Sequence, residues 1–300
     1  MKIIDFSAKA DILLEDEEGL LVPMNEPYFR AWEIAAGTWK ILSDGDYSYL
    51  LEGEDEALVI DSGYGAGSIR DFCRTLTEKP VRRIANTHDH FDHTANNSYF
   101  ELAYMAAETQ PLATLPFPSF SGITFPRDYP IQIVGDGDII PLKGRDLLVI
   151  KIPDHAVGSI AFLDKKARIL FAGDEIGMPA GKTLNGSVER WASYMKRLLA
   201  CREDFDTICA GFGIVDAGII KQYYDNAGHI LSGHEGTVLK PSPFPDFSSV
   251  TDDGRVIWKR RFPHPGDGPK DWQEGYEYKR LMEHAGCRII YDIRKIKENN

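Results

Sequence analysis

Strands alternating with helices, a strand apolar along nearly its whole length, and apolar content sufficient for a substantial core predict an α/β layered fold for this chain of 300 residues. Residues 32–61 read as successive strands, whereas 68–77 and 187–199 carry helical spacing, so the two kinds of element take turns. Ala57 to Asp61 is apolar up to its last residue, the pattern of a strand covered on both faces. Apolar residues make up 43% of the chain, which favours a folded globular enzyme over a disordered or fibrous protein.

The first strands run from Trp32 to Leu42, Tyr47 to Gly53 and Ala57 to Asp61, broken by the turn residues Ser43 to Asp46 and Gly53 to Asp55. Ser68 is suited to cap a helix reaching about Thr77, with Ile69, Phe72 and Leu76 on one face and Pro80 as the stop. Val81 to Ala85 carries β-branched residues without a helix-start signal and is read as a strand, and Asn96 to Glu108 as a helix bearing Tyr99, Phe100, Ala103 and Met105. Between residues 110 and 130, prolines at 111, 116, 118, 126 and 130 interleave with Phe117, Phe120, Phe125 and Tyr129, as in a loop that walls or covers a site. Strands resume at Leu147 to Ile152, Ile160 to Leu163 and Ala167 to Phe171. Ser187 then caps a helix to Leu199 whose Val188, Trp191, Met195 and Leu198 keep helical spacing, and Asp206 to Ala210 is the last core strand. From about Lys240 the composition shifts, with Pro241, Pro243 and Pro245 followed by Trp258, Trp272, Tyr276 and Tyr278. We therefore divide the chain into a catalytic domain, 1–240, and an extension, 241–300, that packs on the core or forms a dimer interface.

Between the strand ending at Ala85 and the next element lie His88, His90, Asp92 and His93, three imidazoles and a carboxylate within six positions of a chain that has only eight histidines. A turn can bring such groups to one point, whereas a strand would send alternate side chains to opposite faces. Neutral imidazole and carboxylate ligands suit zinc, iron or manganese, and the absence of a nearby cysteine argues against a purely structural zinc site.

The pattern His-x-His-x-Asp-His resembles the signature of the metallo-β-lactamase superfamily. The resemblance extends to Asp61-Ser62-Gly63 after a buried strand, to His155 followed by Gly158-Ser159, and to Asp174 after Gly173 at a strand end. It implies a four-layer αββα sandwich with metals at one edge. His88, His90 and His155 would hold a first metal, Asp174 would bridge, and Asp92 and His93 would join it around a second, with Asp61 bracing the metal loop. One departure stands out: the family's Gly-His-Gly, whose histidine completes the second site, is here Gly211-Phe212-Gly213. Phe212 cannot bind a metal. The expectation is one tightly held zinc and a second, weak or substitutable ion, with iron or manganese as alternatives and Asp216, His229 and His234 as candidate replacements for the missing ligand.

A cation held by three imidazoles lowers the pKa of its water from about 15.7 to about 7, so the leading function is hydrolysis of a small ester, thioester, lactone or amide by metal-bound hydroxide. Asp92 would orient the nucleophile or carry its proton. The alternatives are a mononuclear-iron oxygenase of the same fold and a member that binds a ligand with little turnover. A net charge of −12 disfavours nucleic acid as a partner, and the aromatic loop favours a small apolar or aromatic substrate. Four scattered cysteines, with no secretory leader and no 18-residue apolar run, point to a cytoplasmic protein without a membrane partner, and the aromatic-rich extension makes a homodimer reasonable.

Overall fold

The computed structural model describes residues 12–15, 21–23, 29–43, 46–63, 68–113, 128–178, 181–239, 248–250, 256–259 and 275–298. Most of the proline-rich loop, Gly65 and Gly67, the turn at 44–45 and the opening of the extension with Trp272 lie outside the described residues.

A seven-stranded sheet is built in chain order from Phe29–Ala35, Thr38–Ser43, Asp46–Glu52, Ala57–Ile60, Val81–Ala85, Leu102–Met105 and Ile131–Ile133. Its first half is antiparallel, and from Ala57–Ile60 onward neighbours run parallel. A six-stranded sheet follows, of Ile139–Ile140, Leu147–Lys151, Ile160–Asp164, Ile169–Gly173, Thr207–Ala210 and Gly213–Asp216.

The two-residue period of the strands builds the layers. Tyr49, Leu51, Leu58 and Ile60 face one way and meet Val149, Phe162, Ile169 and Phe171 of the other sheet, which forms the core between sheets. The alternate residues Leu50, Val59 and Ile84 face the opposite way and cover Ile69 and Cys73 of the helix Ile69–Cys73. On the outer side of the second sheet, Leu163, Leu170 and Ile208 pack against Trp191 and Met195 of the helix Val188–Ala200 and Ile220, Tyr223 and Ile230 of the helix Ile219–Leu231. Helix, sheet, sheet, helix is the αββα order.

Both expected capping serines are in place: Ser68 Oγ accepts from the Asp71 N–H at 3.2 Å and Ser187 Oγ from the Arg190 N–H at 3.1 Å. Three expectations need correction. The stretch Trp32 to Leu42 is two strands folded into a hairpin at Gly37, whose φ of +64° allows the turn. Asn96 to Glu108 is a short 3-10 turn, Asn97–Tyr99, followed by the strand Leu102–Met105. A short apolar run buried on both faces has no period by which to tell strand from helix, and the neighbouring strand Val81–Ala85 selects strand by pairing with it. The helix Ile219–Leu231 was not anticipated.

Among the described residues of the extension, Ser248–Val250 pairs with Val256–Lys259, which runs parallel to Ile12–Glu15, and Lys279–His284 forms a hairpin with Cys287–Asp292, joined on its flanks by Lys182–Thr183 and Thr237–Val238. Its Met282, Ile289 and Tyr291 enter the same core as the two long helices. Asn226 fixes the hairpin by donating its amide N–H groups to the carbonyls of Met282, His284 and Cys287 at 3.1–3.3 Å.

Candidate metal centre

Strand ends of both sheets converge on one edge of the sandwich. The strand Val81–Ala85 delivers the loop with His88 and His90, and the four-residue helix Phe91–Thr94 turns Asp92 and His93 back toward it. From the second sheet, the loop before Ile160–Asp164 supplies His155, and the end of Ile169–Gly173 supplies Asp174.

Three groups of side chains there could hold a cation, each with its ligand atoms within 4.8 Å of one another: His88, His90 and His155; His88, His93 and Asp174; and Asp46, Asp92 and His93. All six residues expected from sequence are among them. The rings of His88, His90 and His155 stand edge to face, with centroids 4.6, 5.0 and 4.6 Å apart, around a common point. Asp174 spans two groups, with Oδ2 3.7 Å from His155 Nε2 and Oδ1 3.4 Å from His93 Nε2. A carboxylate with one oxygen toward each group is what a bridging ligand requires.

The ring nitrogens that face the centre are fixed from behind. Asp61 accepts from the Thr87 N–H at 2.8 Å, from the Thr87 hydroxyl at 2.7 Å and from His93 Nδ1 at 2.9 Å. An ionised carboxylate only accepts, so His93 carries its proton on Nδ1 and turns the Nε2 lone pair to the centre. Thr87 has spent its one hydroxyl proton on Asp61, so it accepts from His88 Nδ1 at 3.0 Å, and His88 too presents Nε2. One buried aspartate thus sets two tautomers.

His155 is held by a buried ion network that the sequence did not disclose. Glu175 Oε1 accepts the backbone N–H groups of Asp154 and His155 at 2.8 and 2.6 Å, while Lys182 Nζ lies 2.6 Å from Glu175 and 3.0 Å from Asp154. Burial works against the Lys182 charge, but Glu175 and Asp154 outweigh it and raise its pKa. Burial, opposed by Asp174 and aided by His90, Lys182 and His93, pushes the His155 imidazole down to about 3, leaving it neutral and able to ligate. For His93 burial likewise disfavours charge, yet Asp174, Asp61 and Asp92 together raise its pKa well above the usual range, so the metal-free ring carries a second proton on Nε2 that a bound cation would displace, leaving the Nδ1 proton hydrogen-bonded to Asp61. Against the cost of burial, His93 first and then His155 and His90 hold the Asp174 carboxyl below the ordinary carboxylate range.

The residues fit a bound cation. Asp92 Oδ1, Asp174 Oδ1 and His93 Nε2 are buried and make no hydrogen bond among the described residues, a costly arrangement unless a metal satisfies them. Space is also reserved, because a Cβ on Gly211 would lie 2.1 Å from Asp174 Oδ1. A cleft of about 560 Å³ reaches the centre past His90, His155, Val157, Asn185 and Arg190.

The proposed substitutes for the missing histidine sit elsewhere. Asp216 is exposed at the far end of the hairpin whose near end is Gly213, about 10 Å along the strand, and accepts from the Gly218 N–H. His229 and His234 stack on each other and His229 on His284, with centroids 3.7 and 4.0 Å apart, at the C-terminal end of the helix Ile219–Leu231. Asp46 was passed over because an aspartate in Ser-Asp-Gly-Asp reads as turn chemistry. No local signal marks it out, since its neighbours at the centre are more than forty positions away in the chain.

Comparison with known proteins agrees with this geometry. The family model for the metallo-beta-lactamase superfamily matches residues 44–211. The acyl-coenzyme A thioesterase MBLAC2 of Homo sapiens is 28% identical over 221 residues, which covers 63% of this chain and 72% of that protein. Hydroxyacylglutathione hydrolase of Bdellovibrio bacteriovorus is 26% identical over 160 residues, covering 52% of this chain and 59% of its own. Among solved structures, the DIM-1 metallo-beta-lactamase superposes with a TM-score of 0.53 at 15% identity, over 68% of this chain and 98% of that one, a likeness of fold alone.

Proposed function

The chain belongs to the metallo-beta-lactamase superfamily, and from that premise we propose that this metal-dependent hydrolase cleaves small acyl thioesters to a carboxylic acid and a free thiol. The observation that carries the reading is Asp174, with one oxygen toward His155 and the other toward His93. Its likeness to acyl-coenzyme A thioesterase and to hydroxyacylglutathione hydrolase supports a thioester over a lactone or amide.

His88, His90 and His155 would hold zinc, since three imidazoles and a carboxylate suit that ion, and Asp92, His93 and Asp174 would hold a second, more exchangeable ion. When bound, the metal supplies a water of lowered pKa and a positive charge for the oxyanion of the reacting carbonyl. Asp92 takes the proton of the attacking water and returns it to the departing thiolate. The cleft beside His90, His155 and Arg190 receives the thioester, with the acyl chain along Leu112 and Val157. All four cysteines are free thiols, and no helix among the described residues is long and apolar enough to cross a membrane; we assign the protein to the cytoplasm. We keep residues 1–240 as the catalytic unit and 241–300 as an extension whose hairpin packs on it.

Thiol release from acyl-coenzyme A and S-acylglutathione probes tests the reaction. It should require a divalent metal, proceed without oxygen uptake, and fall by about 10²–10⁴-fold in Asp92→Asn. Iron-dependent oxygen consumption without thiol release would overturn the reading.

A further inference from the structure

We infer that Asp46 takes the ligand position that Phe212 leaves open, giving the centre a second metal site richer in oxygen than the first and selective for a harder cation such as manganese. The inference rests on the reading of this edge as a metal centre and concerns which side chains complete it.

Asp46 opens the strand Asp46–Glu52, and that strand end is tied to the turn bearing Phe212. The Tyr47 N–H donates to the Gly211 carbonyl at 2.9 Å, and the Tyr49 hydroxyl donates to the Ala210 carbonyl at 2.6 Å. A residue one step before Tyr47 is thereby held beside the place a histidine at 212 would serve. Its carboxylate lies within 4.8 Å of ligand atoms of both Asp92 and His93. Those partners are themselves aimed at a cation: Asp92 is 5% exposed and His93 fully buried, and Asp92 Oδ1 and His93 Nε2 make no hydrogen bond among the described residues. The other His93 nitrogen is engaged by Asp61, so Nε2 is the only one it can offer.

With Asp174 bridging, the second site becomes three carboxylates and one imidazole, against three imidazoles and one carboxylate at the first. Exchange of a neutral imidazole for a carboxylate adds a negative charge and a hard oxygen donor. Imidazole donors favour zinc, and oxygen donors are better suited to manganese or magnesium, so the second site should take manganese more readily than the first once zinc fills the first.

The test is metal content after loading with one equivalent of zinc and dialysis against an excess of manganese, with the manganese followed by its paramagnetic resonance, on wild type, Asp46→Asn, Asp46→Glu and Asp46→His. Wild type should hold about two equivalents, one of zinc and one of manganese, as the two ligand sets of the inference require. Asp46→Asn should lose manganese by about 10–100-fold in affinity and keep zinc. Asp46→Glu should restore manganese, whereas Asp46→His should give up its manganese to a second equivalent of zinc more readily than wild type, a change that a merely structural role would not produce. Asp46→Asn that binds manganese as tightly as wild type overturns the assignment, as does a wild type holding one equivalent. A wild type that holds no metal overturns the metal centre itself, which separates the two failures.

Discussion

Asp61 has a φ of +58°, a conformation uncommon for residues other than glycine but tolerated by aspartate and asparagine, and from it reaches both Thr87 and His93. Asp61→Asn keeps that backbone preference and size but replaces one acceptor oxygen with a donor. If the amide nitrogen faces His93, the ring must move its proton to Nε2, where it blocks ligation; if it faces Thr87, the backbone N–H there loses its acceptor. We expect metal affinity to fall about 10–100-fold with the fold retained, read by competition with a chelator alongside circular dichroism. Unchanged affinity would show that the His93 tautomer does not depend on Asp61. Most of the centre was legible at this scale, because His88, His90, Asp92 and His93 are packed into six positions and their chemistry needs no fold to be recognised. Asp46 was not, since only the sheet brings it to them.

The ends of the elements carry the centre, and two substitutions test how. Gly173 has a φ of +50°, and a Cβ there would stand 2.3 Å from Thr87 Oγ1, the hydroxyl that links Asp61 to His88. Gly173→Ala should cost about 1–3 kcal/mol in urea unfolding and also weaken metal binding, since the clash falls on the linking group. Behind His155, Lys182 is the only cation paired with both Glu175 and Asp154 among the described residues, and all three are buried. Lys182→Met removes one partner and leaves buried carboxylates uncompensated, for which about 3–5 kcal/mol of destabilisation is expected in the same measurement. A loss under 1 kcal/mol would mean that those carboxylates find protons or water instead. Sequence disclosed strands with alternation and helices with a capping serine. It misread Leu102–Met105, whose helix-like apolar run is decided by pairing with Val81–Ala85, and passed over Ile219–Leu231, whose Ile220, Tyr223, Ala227 and Ile230 mark a buried face but which starts at Gly218 without a side-chain cap.

For the molecule as a whole, two sheets packed face to face bring loops from opposite halves of the chain to one edge, and the helices and C-terminal hairpin close the outer faces. Removal of residues 275–300 would strip Met282, Ile289 and Tyr291 from the core they share with Tyr223 and Ile230. At about 1.5–3 kcal/mol for each buried side chain, that loss is comparable to the whole stability of a typical domain, so the truncated chain should lose its cooperative thermal transition. A sharp transition near that of the full chain would instead make the extension dispensable for folding. The layered fold could be read from alternating elements and from one motif; the route of the extension could not, because hairpins that add to a finished core carry no signal of which face they cover. The chemistry of this edge depends most on imidazoles and carboxylates from both sheets sharing a cation. Elemental analysis of the purified protein after exhaustive dialysis, compared with His155→Ala, tests this directly. About one equivalent of zinc resisting dialysis in the wild type, the more exchangeable second ion having been removed, and loss of that zinc in the variant are predicted from the two ligand sets; metal-free wild type, or a variant that retains zinc unchanged, would contradict it.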